Sequence, residues 1–107
     1  MSYTVVEMDG KELKFEYDRT SIIKMEEMGY NAINPSSKIY TNFEILIYGG
    51  LLKNDPKLKW KDALPIFEFM KNEYGMMETI ETLSSLVNDV FTLEGNGKKM
   101  TVVGKKA

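Results

Sequence analysis

Hydrophobic and polar residues alternate from Tyr3 to Met8 and again from Lys11 to Tyr17, with Asp9-Gly10 between the two runs. Alternation puts every second side chain on one face of a strand, and Asp-Gly suits a two-residue type I′ turn, whose central residues both need positive φ. The pattern predicts a β-hairpin over residues 3–17. In a two-residue-loop register Val6 faces Leu13 and Thr4 faces Phe15. Leu13, Phe15 and Tyr17 then turn to the core, while Glu12, Lys14 and Glu16 face water. The same register sets Glu7 opposite Glu12, an unfavourable pair, so a bulged turn stays open as the alternative.

After Tyr17 the period changes from two to about 3.6. Asp18 reads as the N-cap of a first helix over about 19–28, with Thr20 or Ser21 as alternative caps. Ile22, Ile23, Met25 and Met28 supply its apolar positions. Gly29 fits the C′ position, and Tyr30 is placed to pack back on Met25. Asn34-Pro35-Ser36-Ser37 reads as a loop ending in a second cap.

A second helix is expected over 38–53, on the line Ile39, Phe43, Ile47, Leu51 broadened by Tyr40, Leu46, Tyr48 and Gly50. It is apolar on most sides, which places it at the centre. Asn54-Asp55-Pro56 stops it. A third helix is expected over 62–74, capped by Asp62, with Pro65 in its first turn where a missing N–H is no loss. Its stripe is Ala63, Ile66, Phe67, Met70 and Tyr74, and Gly75 ends it. The fourth, over 76–91, carries Met76, Ile80, Leu83, Val87 and Val90, with Met77, Leu86 and Phe91 beside them and Glu78, Glu81 and Asp89 opposite. The expected fold is α+β and helix-dominated: an N-terminal β-hairpin packed on a small bundle of about four helices, in one domain spanning residues 1–91.

Composition changes this picture in two ways. The 107 residues contain no cysteine and no histidine. That removes disulfides, thiolate metal sites and the commonest general base, so no catalytic, cofactor or metal-ligating residue is expected. The charge is also uneven. Of 14 basic and 16 acidic side chains, the last sixteen residues hold four lysines (Lys98, Lys99, Lys105, Lys106) and Glu94, which leaves 10 basic and 15 acidic in residues 1–91. An acidic body with a basic tail over 92–107 is a poor nucleic-acid binder, and the tail reads as a solvated, mobile end. No apolar run reaches the ~20 residues of a membrane span.

Several features invite a functional reading, each beside a plainer one. Two adjacent helical glycines, Gly49 and Gly50, cost roughly 2 kcal/mol relative to alanine. Either another part of the monomer crosses them closely, or another subunit or partner helix does. Among eight methionines, Met25, Met28, Met70, Met76 and Met77 fall at helical spacing and read first as core. Methionine also suits surfaces that repack around partners, and Tyr74, Met76 and Met77 form a candidate patch between the third and fourth helices. Tyr48, Gly49, Gly50, Leu51, Tyr74, Met76 and Met77 are thus the candidate partner-binding residues. Glu26-Glu27, Glu78/Glu81 and Asp55 read as solvated carboxylates, and Trp60 as an apolar anchor against the third helix.

Three of these features together resemble the tail assembly chaperones of long-tailed phages, particularly those of Gram-positive hosts. They are the hairpin with Asp9-Gly10-Lys11 and Phe15-Glu16-Tyr17-Asp18, the Ile22-to-Met28 helix ending in Gly29, and the Tyr48-Gly49-Gly50-Leu51-Leu52 helix. The last is followed by a Pro56 loop and Trp60-Lys61-Asp62-Ala63. The resemblance spans about residues 3–91, and none of its motifs is a catalytic signature. It implies a non-enzymatic factor of the host cytoplasm, absent from the mature virion. Such a factor binds the long helical tape-measure protein, keeps it soluble until tube subunits polymerise around it, and self-associates. It implies the tape-measure protein as partner, with the tail tube protein as a further one and a homo-oligomer as the working form. It also implies a longer frameshifted form, which Gly97-Lys98-Lys99 and Gly104-Lys105-Lys106 are compatible with. The alternative is a small structural virion protein, a connector or a tube-associated component, whose hairpin adds strands to a ring.

Overall fold

The computed structural model describes residues 2–31, 33–34 and 38–94. An antiparallel hairpin of β1 (Tyr3–Met8) and β2 (Lys11–Glu16) precedes α1 (Arg19–Glu27), α2 (Ile39–Leu52), α3 (Trp60–Tyr74) and α4 (Met76–Glu94). The α+β, helix-dominated architecture expected from the pattern is the one observed. Basic residues 95–107, and the cap expected at Ser36-Ser37, lie outside the described residues.

The hairpin takes the unbulged register. Thr4 pairs with Phe15, Val6 with Leu13 and Glu7 with Glu12. Asp9 at φ +52° and Gly10 at φ +78° form the tight turn. The Glu7–Glu12 pair is tolerated because both residues are exposed to solvent, where like charges are well screened. Phe15 and Tyr17 are completely buried.

Asp18 caps α1 through a capping box. Its Oδ1 accepts from the Ser21 N–H at 2.8 Å, and the Ser21 Oγ accepts from the Asp18 N–H at 2.9 Å. Two donors left unpaired by helix geometry are thereby satisfied reciprocally. The helix closes on Gly29 at φ +112°. The Tyr30 N–H reaches the Met25 carbonyl and the Gly29 N–H the Glu26 carbonyl, both at 3.0 Å, which is a Schellman closure. Burial of Tyr30 anchors it.

Helix α2 packs against α1, β2, α3 and α4. It is buried along most of its length, from Asn42 and Phe43 through Leu51. Its N-cap is Lys38, without a side-chain cap bond. The N-terminal end of its expected apolar stripe does not reach the core: Ile39 and Tyr40 are exposed.

Helix α3 departs from the expectation at its start. It begins at Trp60, not after Asp62, so Asp62 lies in the first turn and Pro65 in the second. Trp60 explains the shift. Its ring makes edge contacts with Tyr48, 5.2 Å between centroids, and with Phe67, 5.0 Å between centroids. Helical geometry from Trp60 onward sets Trp60 and Phe67 two turns apart on one face. The Tyr48 hydroxyl donates to the Leu58 carbonyl at 2.9 Å and fixes the preceding loop. Helix α4 runs on to Glu94, past the expected end at 91, with Ile80, Leu83, Leu86, Val87 and Val90 in the core.

Candidate functional site

The glycine pair is occupied from within. A Cβ on Gly50 would lie 2.6 Å from the Tyr17 hydroxyl oxygen and 3.1 Å from Phe15, and one on Gly49 would overlap Cγ and Sδ of Met25. The hairpin and α1 therefore make the close approach that the glycines allow. Tyr48, Gly49, Gly50 and Leu51 are all buried in the monomer, so these four candidate partner-binding residues hold the fold together and present no free face.

The other three candidates lie where α3 meets α4. Tyr74 is 44% exposed and Met77 47% exposed, while Met76 is half-buried against the core. Of the remaining helical methionines, Met25 and Met70 are core and Met28 is exposed. Gly75, at φ +83°, makes the short connection between the two helices.

Beside this junction a cleft of about 240 Å³ runs between β1, α3 and α4. Thr4 and Val6 line it from the strand, Met70 and Tyr74 from α3, and Glu78, Thr79, Thr82 and Leu83 from α4. Its walls are mostly apolar. The Thr79 hydroxyl is engaged with the Gly75 carbonyl at 2.8 Å, as donor to a helix-start oxygen, so the side chain contributes its methyl to packing. The volume falls below the roughly 300–1,000 Å³ usual for small-molecule pockets. It suits anchoring side chains of another chain better than a cofactor.

The cleft's electrostatics are one-sided. Neither β1 nor α4 contains a lysine or arginine, whereas α4 holds Glu78, Glu81 and Asp89. Two cations of neighbouring elements have partners of their own. Lys71 pairs with Glu68 at 3.2 Å, and Lys14 sits 4.5 Å from the centre of the Tyr3 ring. Glu78 is exposed at the rim.

Sequence reasoning named Tyr74 but missed Glu78, Thr79 and Thr82 as cleft residues. Thr4 and Val6 were legible as inward-facing, but which helices they would meet depends on tertiary arrangement. Thr82 carries no special signal. Glu78 could have been found by noting that no cation shares its helix.

A second exposed apolar group lies at the α1–α2 end, at Met28, Ile33, Ile39 and Tyr40. Among the described residues no group of three carboxylates could hold a metal ion, and no helix is long and apolar enough to cross a membrane. No family model, curated protein or solved structure matches the chain.

Proposed function

We propose that this chain is a tail assembly chaperone that binds the tape-measure protein and keeps it soluble and assembly-competent, acting in the host cytoplasm as a homo-oligomer. The observation that carries the reading is apolar surface left open after the core closes: the β1–α3–α4 cleft with Tyr74 in its wall, and Met77 exposed on the first turn of α4. A binding protein for long apolar helices needs deformable apolar surface rather than a preorganised polar pocket. The resemblance of the hairpin, the short capped helix and the Gly-Gly helix to that family supplies the client. The tail tube protein is a further partner on the same reading.

Co-purification tests this. A tagged copy is expected to bring the tape-measure protein down in soluble form, and a client that stays insoluble and unbound contradicts it. The structural-protein alternative draws on the exposed edge of β1 in a two-stranded sheet, which could extend a neighbouring sheet. Mass spectrometry of purified virions separates the two readings, since a chaperone is missing from the finished particle.

A further inference from the structure

We infer that the β1–α3–α4 cleft is the docking site for a basic amphipathic helix: an apolar stripe flanked by lysine or arginine. For the origin of that helix the inference rests on the chaperone reading. The helical form follows from how the lining is spaced. Met70 and Tyr74 are one turn apart on α3, as are Glu78 and Thr82, and Thr79 and Leu83, on α4. Met70, Thr79 and Leu83 are buried and form the floor, so the side open to an occupant is Tyr74 on α3 and the Glu78–Thr82 row on α4, a ridge against which a further helix seats its own side chains. A helix in such a groove is read by anchors at i, i+3 or i+4, and i+7.

The charge of the occupant follows from the rim. Glu78 lines the cleft directly, Glu81 follows it on the exposed side of α4, and the two elements β1 and α4 contribute no cation. An acidic occupant would place like charges together at this rim, where α4 brings no lysine or arginine of its own. A basic one gains attraction, a faster encounter and a fixed orientation.

The test uses the full chain and two synthetic amphipathic peptides of about 18 residues, long enough to form helix. They share one leucine stripe, and their remaining positions are lysine in one and glutamate in the other. Fluorescence anisotropy at low salt is expected to show the lysine peptide binding at least about tenfold more tightly, with the gap narrowing as salt screens the rim. Glu78→Lys is expected to abolish that preference. Glu27→Lys, the same charge change at an exposed position of α1, is expected to leave it intact. Glu78→Gln, expected to reduce the preference, gives the same reading if Glu78→Lys fails to fold.

Equal binding of the two peptides, no binding of either, or equal sensitivity to Glu27→Lys and Glu78→Lys would overturn the inference. So would lysine-peptide binding that emerges only when Lys98, Lys99, Lys105 and Lys106 are replaced by glutamine, because the chain's own segment would then be the occupant. Tape-measure protein that co-purifies undiminished with Glu78→Lys sinks this docking site and leaves the chaperone reading standing.

Discussion

The hydroxyl of Tyr17 donates to the main-chain carbonyl of Leu46 from a position directly against Gly50, with no solvent access to the tyrosine. One bond thus ties the end of the hairpin to the middle of the central helix, and the missing Cβ makes room for it. Gly50→Ala gains about 1 kcal/mol of helix propensity but forces a methyl against a fixed ring. Overpacking of this kind costs about 1–3 kcal/mol. The balance is a net loss of up to about 2 kcal/mol, centred on about 1 kcal/mol, and each kcal/mol lowers Tm by about 4–8 °C in a domain of this size.

The same contact predicts coupling. Tyr17→Phe alone loses a buried hydrogen bond, worth about 1 kcal/mol. Because it also removes the atom nearest a Gly50 methyl, Tyr17→Phe/Gly50→Ala should be more stable than the sum of the single losses predicts. Denaturant melts of all four proteins measure this as a double-mutant cycle, and strict additivity would show that the two sites do not meet.

Asp18→Ala removes one half of the capping box. The expected loss is about 1 kcal/mol, within the usual range for cap removal. Ser21→Ala should lose a similar or smaller amount, and the double variant less than the sum, because each side chain serves the other's backbone.

Acid sensitivity should centre on Glu16. Burial acts to raise its pKa, but hydrogen bonds from Asn54 and Lys53, with the charges of Lys53 and Lys14, outweigh burial and hold it below the usual 4.5. A lowered folded-state pKa gives stability that is present above the unfolded value and lost as pH falls through the folded one. Glu16→Gln should therefore destabilise at pH 7 and converge with wild type in acid, as read from urea midpoints. A gap that stays constant with pH would remove the electrostatic explanation.

At the alkaline end the buried phenols act. Burial, then the charge of Glu26, pushes Tyr30 up to about 12, and burial with Tyr30 nearby pushes Tyr17 well above 10. Both stay neutral in the fold while the unfolded chain ionises near 10, so stability falls as pH rises past that point. Ultraviolet titration should show these two ionising late, Tyr30 at about 12 and Tyr17 well above 10, and Tyr30→Phe should extend the stable range upward.

Much of the fold was legible because local signals agreed. Asp9-Gly10 set the register, Asp18 the first cap, and Gly29 and Gly75 the helix ends. The start of α3 was not legible because capping preference at Asp62 competes with packing of Trp60 between Tyr48 and Phe67, and packing won. The glycine pair announced a close approach without naming what approaches: Tyr17 and Met25 fill it, although both are distant in sequence. The candidate site was half legible. Tyr74 and Met77 lie on open surface, and the charge of α4 is readable from its residues, whereas the strand wall of the cleft follows only from tertiary arrangement.

The soluble yield of tape-measure protein expressed with this chain tests the central claim most directly. The account predicts that client moves from the pellet to the supernatant in proportion to the amount of this protein supplied, in a complex that survives size-exclusion chromatography. Client that remains in the pellet at every ratio, beside a well-folded partner, would contradict it.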